Sequence, residues 1–226
     1  MTLATLLLLA DGRFPAGGHA HSGGAEAAVR GGRVTDARSL EEFCRGRLHT
    51  SGFLAASVAA AAALGVDPVE LDGAVDARTP SPALRVASRR LGRQLLRAAR
   101  GTWPVGAAEF GVLGREFPKG AHQAVVLGVV ARVVGVSAGE VAHCAAYECV
   151  SGAASATVRL LSLDPFEASG VLARVAGDVG RVADRAVEVA RGVVGEGVGV
   201  LPAGSAPLLE IGAEVHAGAV GRLFAS

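Results

Sequence analysis

The run that follows Asp164 constrains the fold most. Leu172, Val175, Val179, Val182, Ala186, Val189 and Val193 are spaced alternately by three and four residues. At about 100° per residue they form one stripe along a helix, whereas a strand would need a period of two. Valine is a poor helix former, and glycines at 170, 177, 180 and 192 each cost about 1 kcal/mol against alanine. A helix of this composition persists only if its stripe is packed against a neighbour. Its start is marked by Asp164, which can cap, Pro165 at the first helical position and Glu167 in the first turn.

The same punctuation recurs. Asp36 with Ser39 and Glu42 opens a helix running to about Leu64, Ser81-Pro82 opens another, and Ser137 with Glu140 forms a capping box before a run to Leu163. Residues 67–80 and 101–119, rich in Gly, Pro and Asp, are expected to be connectors, and 195–207 to be a break before a short final helix. No strand alternation competes. The chain is therefore expected to be all-α, one compact bundle of about seven to ten helices. No shift of composition divides it, so residues 1–226 are taken as a single domain.

Half of the residues are apolar and 19% are charged, which excludes a disordered chain. Cys44, Cys144 and Cys149 show no disulfide framework spacing, and reduced thiols in a cytoplasmic setting are expected. Leu3–Ala10 is apolar, but no basic residue precedes it and Asp11 follows, unlike a secretory signal. The uncharged stretches Gly52–Val66 and Ala121–Ala131 fall short of the ~20 residues that span a bilayer, so no membrane association is expected.

Three polar patterns stand out against this apolar background. Residues 82–100 carry six arginines and no acid. Arg85, Arg89, Arg93, Arg97 and Arg100 fall within an arc of roughly 120°, opposite Leu84, Leu91, Leu95 and Ala98. Such a face repels itself unless an acidic partner, a nucleic acid or acids elsewhere in the fold offset it. Nucleic acid is disfavoured, because interleaved aromatics are missing and net charge is only +1. Glu148, Ser151, Ser155 and Arg159 draw a polar stripe along an otherwise buried helix. That stripe belongs either to an internal hydrogen-bonded network or to a surface facing a partner subunit or a water-filled passage.

The third pattern is Asp11-Gly-Arg-Phe14-Pro15-Ala-Gly17-Gly18-His19-Ala20-His21-Ser22-Gly-Gly24-Ala25-Glu26. His19 and His21 could supply two metal ligands, but only Asp11 or Glu26 is near enough in sequence to add a third, so no closed site is expected. His143, Cys144 and Cys149 diverge around a helix and read as separate groups, the thiols buried. A phosphate loop would need a lysine after its glycines and a strand before them, and Ser22 lacks the neighbours of a hydrolase nucleophile. Ser22 instead suits a helix cap. No catalytic residue, cofactor or resident metal is expected.

Together these residues resemble the UreF family of urease accessory proteins. The resemblance rests on the Asp11–Glu26 segment, "GRVTD" at 32–36, "SRRLGRQLLR" at 88–97, "SGAASATVRLLSLDP" at 151–165 and the tail "EIGAEVHAGAVGRLFAS". It implies a cytoplasmic, non-catalytic, all-α scaffold that dimerises, binds the accessory protein UreD (also called UreH), recruits the GTPase UreG and so serves nickel delivery to apo-urease. It further implies a partner-docking segment at about 205–226. Partner contacts would fall on His19, His21, Ser22, Glu26, His216, Arg222, Leu223 and Phe224. Two alternatives remain beside it: a nickel-binding metallochaperone using the loop histidines, and a GTPase-activating partner of UreG acting through an arginine such as Arg85, Arg89, Arg93 or Arg97. Two positions depart from the family pattern. His19 stands where an aromatic is usual, and Ala217 where a carboxylate usually follows the tail histidine.

Overall fold

The computed structural model describes residues 3–226, and among them no strand is present. Eleven α-helices follow in order: α1 (Leu3–Ala10), α2 (Ala25–Arg30), α3 (Ala37–Arg47), α4 (Phe53–Ala63), α5 (Pro68–Ala77), α6 (Pro82–Thr102), α7 (Ala107–Glu116), α8 (Gln123–Val133), α9 (Ala138–Leu161), α10 (Pro165–Glu196) and α11 (Pro207–Ala217). With the six-residue α2 set apart, the count stands at the top of the expected range.

The helix starts follow the side-chain chemistry. Asp36 and Ser39 cap α3 reciprocally, as Ser137 and Glu140 do for α9. The Ser81 hydroxyl accepts from the amide of Leu84 at 3.1 Å, and Asp164 accepts from the amide of Phe166 at 2.8 Å. The helix expected from Asp36 to Leu64 is interrupted by a π-helical turn at Leu48–Gly52, which joins α3 to α4.

At the centre α4 packs against α8, α9 and α10. Residues 56–62 of α4 are all buried and mostly alanine, so neighbouring backbones come close. A β-carbon on Gly128 of α8 would lie 2.2 Å from the Ala59 carbonyl oxygen and 2.5 Å from the Ala62 β-carbon. Gly128→Ala is therefore expected to push α4 and α8 apart, costing about 2 kcal/mol and lowering the melting temperature by roughly 6 °C. Thermal unfolding followed by circular dichroism checks this, and an unchanged melting temperature would mean that the helices yield without cost.

The stripe of α10 is largely as expected: Val175, Val179, Val182, Ala186 and Val193 are buried, and Leu172 and Val189 pack partly exposed against the core. Two expected connectors contain helices. Asp67 caps α5 through the amide of Val69 at 3.0 Å with Pro68 behind it, and α5 buries Leu71, Ala74 and Val75. Likewise α7 buries Phe110 and Leu113. Both were obscured because a helix of ten residues shows too few turns for its stripe to rise above its glycines.

Asp178 lies one turn from both Arg174 and Arg181, a spacing that on an isolated helix would form a weakly paired, solvated face. It is buried and pairs with Arg45 at 3.0 Å as well as with Arg181, while Arg174 turns to Glu41. The outer face of α10 is covered there by α3, so the ion pairs are made between helices.

Candidate partner-docking site

Glu26 organises the region where the two ends of the chain meet. It opens the first turn of α2, 1% exposed, and its carboxylate is the acceptor of the C-terminal tail. Oε1 accepts from the amide of Leu223 and Oε2 from the amide of Phe224, both at 2.9 Å. His216 Nε2 lies 3.0 Å from Oε2, and Arg30 donates to Oε1 at 2.9 Å and to the carbonyl of Gly221. Burial alone would raise the Glu26 carboxyl, but the Leu223 amide, the His216 ring and the Phe224 amide overrule it and hold it down to about 2. His216 thus has its carboxylate partner from across the chain, while its neighbour Ala217 offers none.

The rest of the tail runs along the loop before α2. The amide of Ala225 donates to the Ala20 carbonyl at 2.8 Å, and the amide of Ser22 donates to the Ser226 oxygen at 2.7 Å. The Ser22 hydroxyl donates to the same oxygen at 2.8 Å and accepts from the Glu26 amide at 3.3 Å. It serves an amide of the first turn of α2 while holding the tail, but the N-cap position expected of it is taken by Gly24 in a left-handed conformation. His21 is buried with Nδ1 on the Ser226 hydroxyl. Its imidazole is lowered by burial, then by the charge of Arg90 and by His19. Phe224 is buried under Arg159, whose guanidinium carbon stands 4.4 Å from the ring centroid. Arg159 also donates to the His19 carbonyl at 3.1 Å. Arg222 and Leu223 remain exposed, as does the ring-bearing residue His19.

Beside this clasp lies a cavity of about 580 Å³. Its lining includes apolar Phe14, Leu54, Leu84, Leu91 and Leu127 together with Glu148, Ser151, Ser155 and Arg159 of α9. His19, His21 and Ser226 stand where the tail reaches it. The α9 stripe therefore lines an open space instead of a closed internal network. Burial raises the Glu148 carboxyl to about 7, opposed only by the Cys144 thiol at 3.9 Å. The three cysteines are free and buried as expected, and burial pushes the Cys44 thiol up to about 12.

The basic face of α6 is divided. Arg89 pairs with Asp72 and Asp76, each at 2.7 Å, and Arg85 lies 3.9 Å from Asp76 and donates to the carbonyls of Thr79 and Pro80. Arg93 donates to the Lys119 carbonyl at 3.0 Å, and Arg97 is exposed. The acids of α5 thus offset only the N-terminal part of the face.

Asp72, Asp76 and His122 are the one His/Asp cluster with metal-ligand spacing among the described residues, and sequence reasoning missed it. The imidazole of His122 is fully buried and lowered chiefly by burial, against the opposing Asp76 contact. Its Nε2 donates to Asp76 at 2.9 Å and its Nδ1 accepts from Ser88 at 3.0 Å. The cation that this cluster needs is already present as the Arg89 guanidinium, so its chemistry is that of a clasp joining α5, α6 and the start of α8. The pairing of Asp72 with Asp76, one turn apart, was the available signal. At the loop histidines the candidate third ligands are engaged elsewhere, Asp11 by Arg13 and Glu26 by His216.

Fold and site define an all-α protein whose terminal segments are clasped together beside a half-polar cavity. Comparison with known proteins then places it. The sequence model of the UreF family matches residues 34–176, well over half of the chain. The chain is 40% identical over its full length to the urease accessory protein UreF of Mycobacterium sp. strain JLS, covering 99% of that protein. It is similarly 40% identical to the protein of that name from Mycolicibacterium vanbaalenii and 39% identical to that of Mycobacterium tuberculosis, with 100% of this chain and 99% of each relative covered. The chain belongs to the UreF family of urease accessory proteins, which are not themselves enzymes.

Among the described residues no helix is long and apolar enough to cross a membrane.

Proposed function

We propose that this chain is a urease maturation factor. It acts in the cytoplasm as a non-catalytic, dimeric scaffold that binds UreD/UreH and recruits the GTPase UreG, so that nickel reaches the apo-urease active site. The observation that carries this reading is full-length similarity to proteins named urease accessory protein UreF. The structure supports a docking role for the segment from about 205 onward. Leu208, Ile211 and Val215 follow at three and four residues on α11 with exposures of 63%, 60% and 69%, and Leu223 is 61% exposed. An exposed apolar row of this kind suits a partner surface.

The metallochaperone alternative finds little support, because His21 and His216 already have partners within the fold. Co-expression of a urease operon with and without this chain tests the proposal. Without it, urease is expected to accumulate nickel-poor and inactive, read by metal analysis and urea hydrolysis on the same preparation. Full activity in its absence overturns the proposal. Size-exclusion chromatography with light scattering, using purified UreD and UreG, checks the stated partners and the dimer.

A further inference from the structure

The middle and C-terminal part of α6 carries a basic ridge that no carboxylate among the described residues contacts. Arg90, Arg93 and Arg97 follow at i, i+3 and i+7, which sets them within an arc of about 60° along about 10 Å of helix. All three are exposed. Among the described residues none has a carboxylate within 4.0 Å, in contrast to Arg85 and Arg89 one and two turns earlier. Lys119, the sole lysine of the chain, joins them from the loop before α8, exposed and likewise without a carboxylate at that distance.

The fold fixes the backbones that carry these four cations. Arg93 donates to the Lys119 carbonyl at 3.0 Å, which draws the two cationic residues together. A β-carbon on Gly120 would lie 2.4 Å from the Arg89 carbonyl oxygen, and one on Gly92 would lie 2.0 Å from that of Ala121. The loop therefore rests directly on the α6 backbone and has little freedom to carry Lys119 away. Like charges held at this spacing repel one another at ordinary ionic strength. On a chain whose net charge is only +1, the ridge is a local concentration of charge set by the fold, not a share of a general excess.

We propose that the ridge of Arg90, Arg93, Arg97 and Lys119 docks an acidic helical surface of a protein partner. A straight helix presenting cations at i, i+3 and i+7 complements carboxylates at the same spacing on another helix, and the backbone on this side is already ordered. Nucleic acid fits less well. Duplex binders commonly neutralise six to ten phosphates, about twice what this ridge offers, and no exposed aromatic interleaves the arginines. The inference concerns binding alone and does not rest on urease maturation.

The test is fluorescence anisotropy on the full-length chain with a labelled helical peptide bearing glutamates at i, i+3 and i+7, beside its glutamine analogue. At low salt the glutamate peptide is expected to bind at least tenfold tighter than the analogue. The triple variant R90Q/R93Q/R97Q is expected to bring that preference down to about twofold, and R90E/R93E/R97E to reverse it. Reversal of Arg38, Arg132 and Arg191, exposed elsewhere, should change affinity less than twofold. Circular dichroism confirms that each variant is folded, and the glutamine variant serves if the reversed one is not. Equal loss in the control reversal, no preference for the glutamate peptide, or tighter binding of a short DNA duplex would each overturn the proposal.

Discussion

Glu26→Ala is expected to free the C-terminal tail while leaving the helical bundle folded. The substitution removes the acceptor of two buried amides and the partner of His216 and Arg30 at once. Breaking a buried charged network of this kind costs about 3–4 kcal/mol, and the tail lies at the edge of the fold, so the loss appears as local opening. Amide hydrogens of Leu223 and Phe224 should exchange at least a hundredfold faster, with core amides of α4 and α9 unchanged. Glu26→Gln should fall between, since one neutral oxygen can still accept.

The pH dependence follows from the carboxyl being held at about 2 against an ordinary 4.5. A depressed carboxyl stabilises the folded state above its ordinary value, and the contribution is lost as pH falls from about 4.5 toward 2. At neutral pH it amounts to about 3 kcal/mol, at 1.36 kcal/mol per pH unit. Tail protection should therefore be full at pH 7 and decline below about 4.5 in the native chain, and be flat in Glu26→Gln. Unchanged exchange at Leu223 and Phe224 in Glu26→Ala would show that the tail is held by Phe224 and Ser226 without the carboxylate.

Glu148 should behave in the opposite sense. Its carboxyl is raised from 4.5 to about 7 because it stands half-buried in the cavity wall without a cation. A raised carboxyl makes the folded state bind its proton more tightly, so stability declines as pH rises from about 4.5 to about 7 and stays low above. Glu148→Gln should then stabilise the protein at pH 8 by about 2 kcal/mol, a value discounted for partial exposure, and change nothing at pH 4. Urea unfolding of both proteins at the two pH values checks this. Equal stability at pH 8 would show that the carboxylate finds compensation in the cavity. A group retained at a cost in stability is a candidate for function, and its place on the α9 stripe beside Ser151, Ser155 and Arg159 makes that wall the first to examine in urease maturation assays.

The two carboxylates differ little in the sequence: each is an isolated glutamate in an alanine-rich helix. What separates them is what the fold brings alongside. Glu26 meets amides and a ring from residues 190 to 198 positions away, whereas Glu148 meets only a thiol four residues along its own helix.

The same distinction runs through the molecule. Helix starts at Asp36, Ser81, Ser137 and Asp164 were legible because a cap and its target lie within three residues, and the α10 stripe because its period repeats over about six turns. Short α5 and α7 were not, since two or three turns give the pattern too few repeats. Family membership was legible as well, as it depends on residue order alone. The tertiary structure alone decided which charges are answered. It gave Arg89 to Asp72 and Asp76, left Arg90, Arg93 and Arg97 bare, buried Asp178, and closed Glu26 over the tail. Periodicity assigns a residue to a face of its own helix, but its partner is set by the packing of helices distant in sequence.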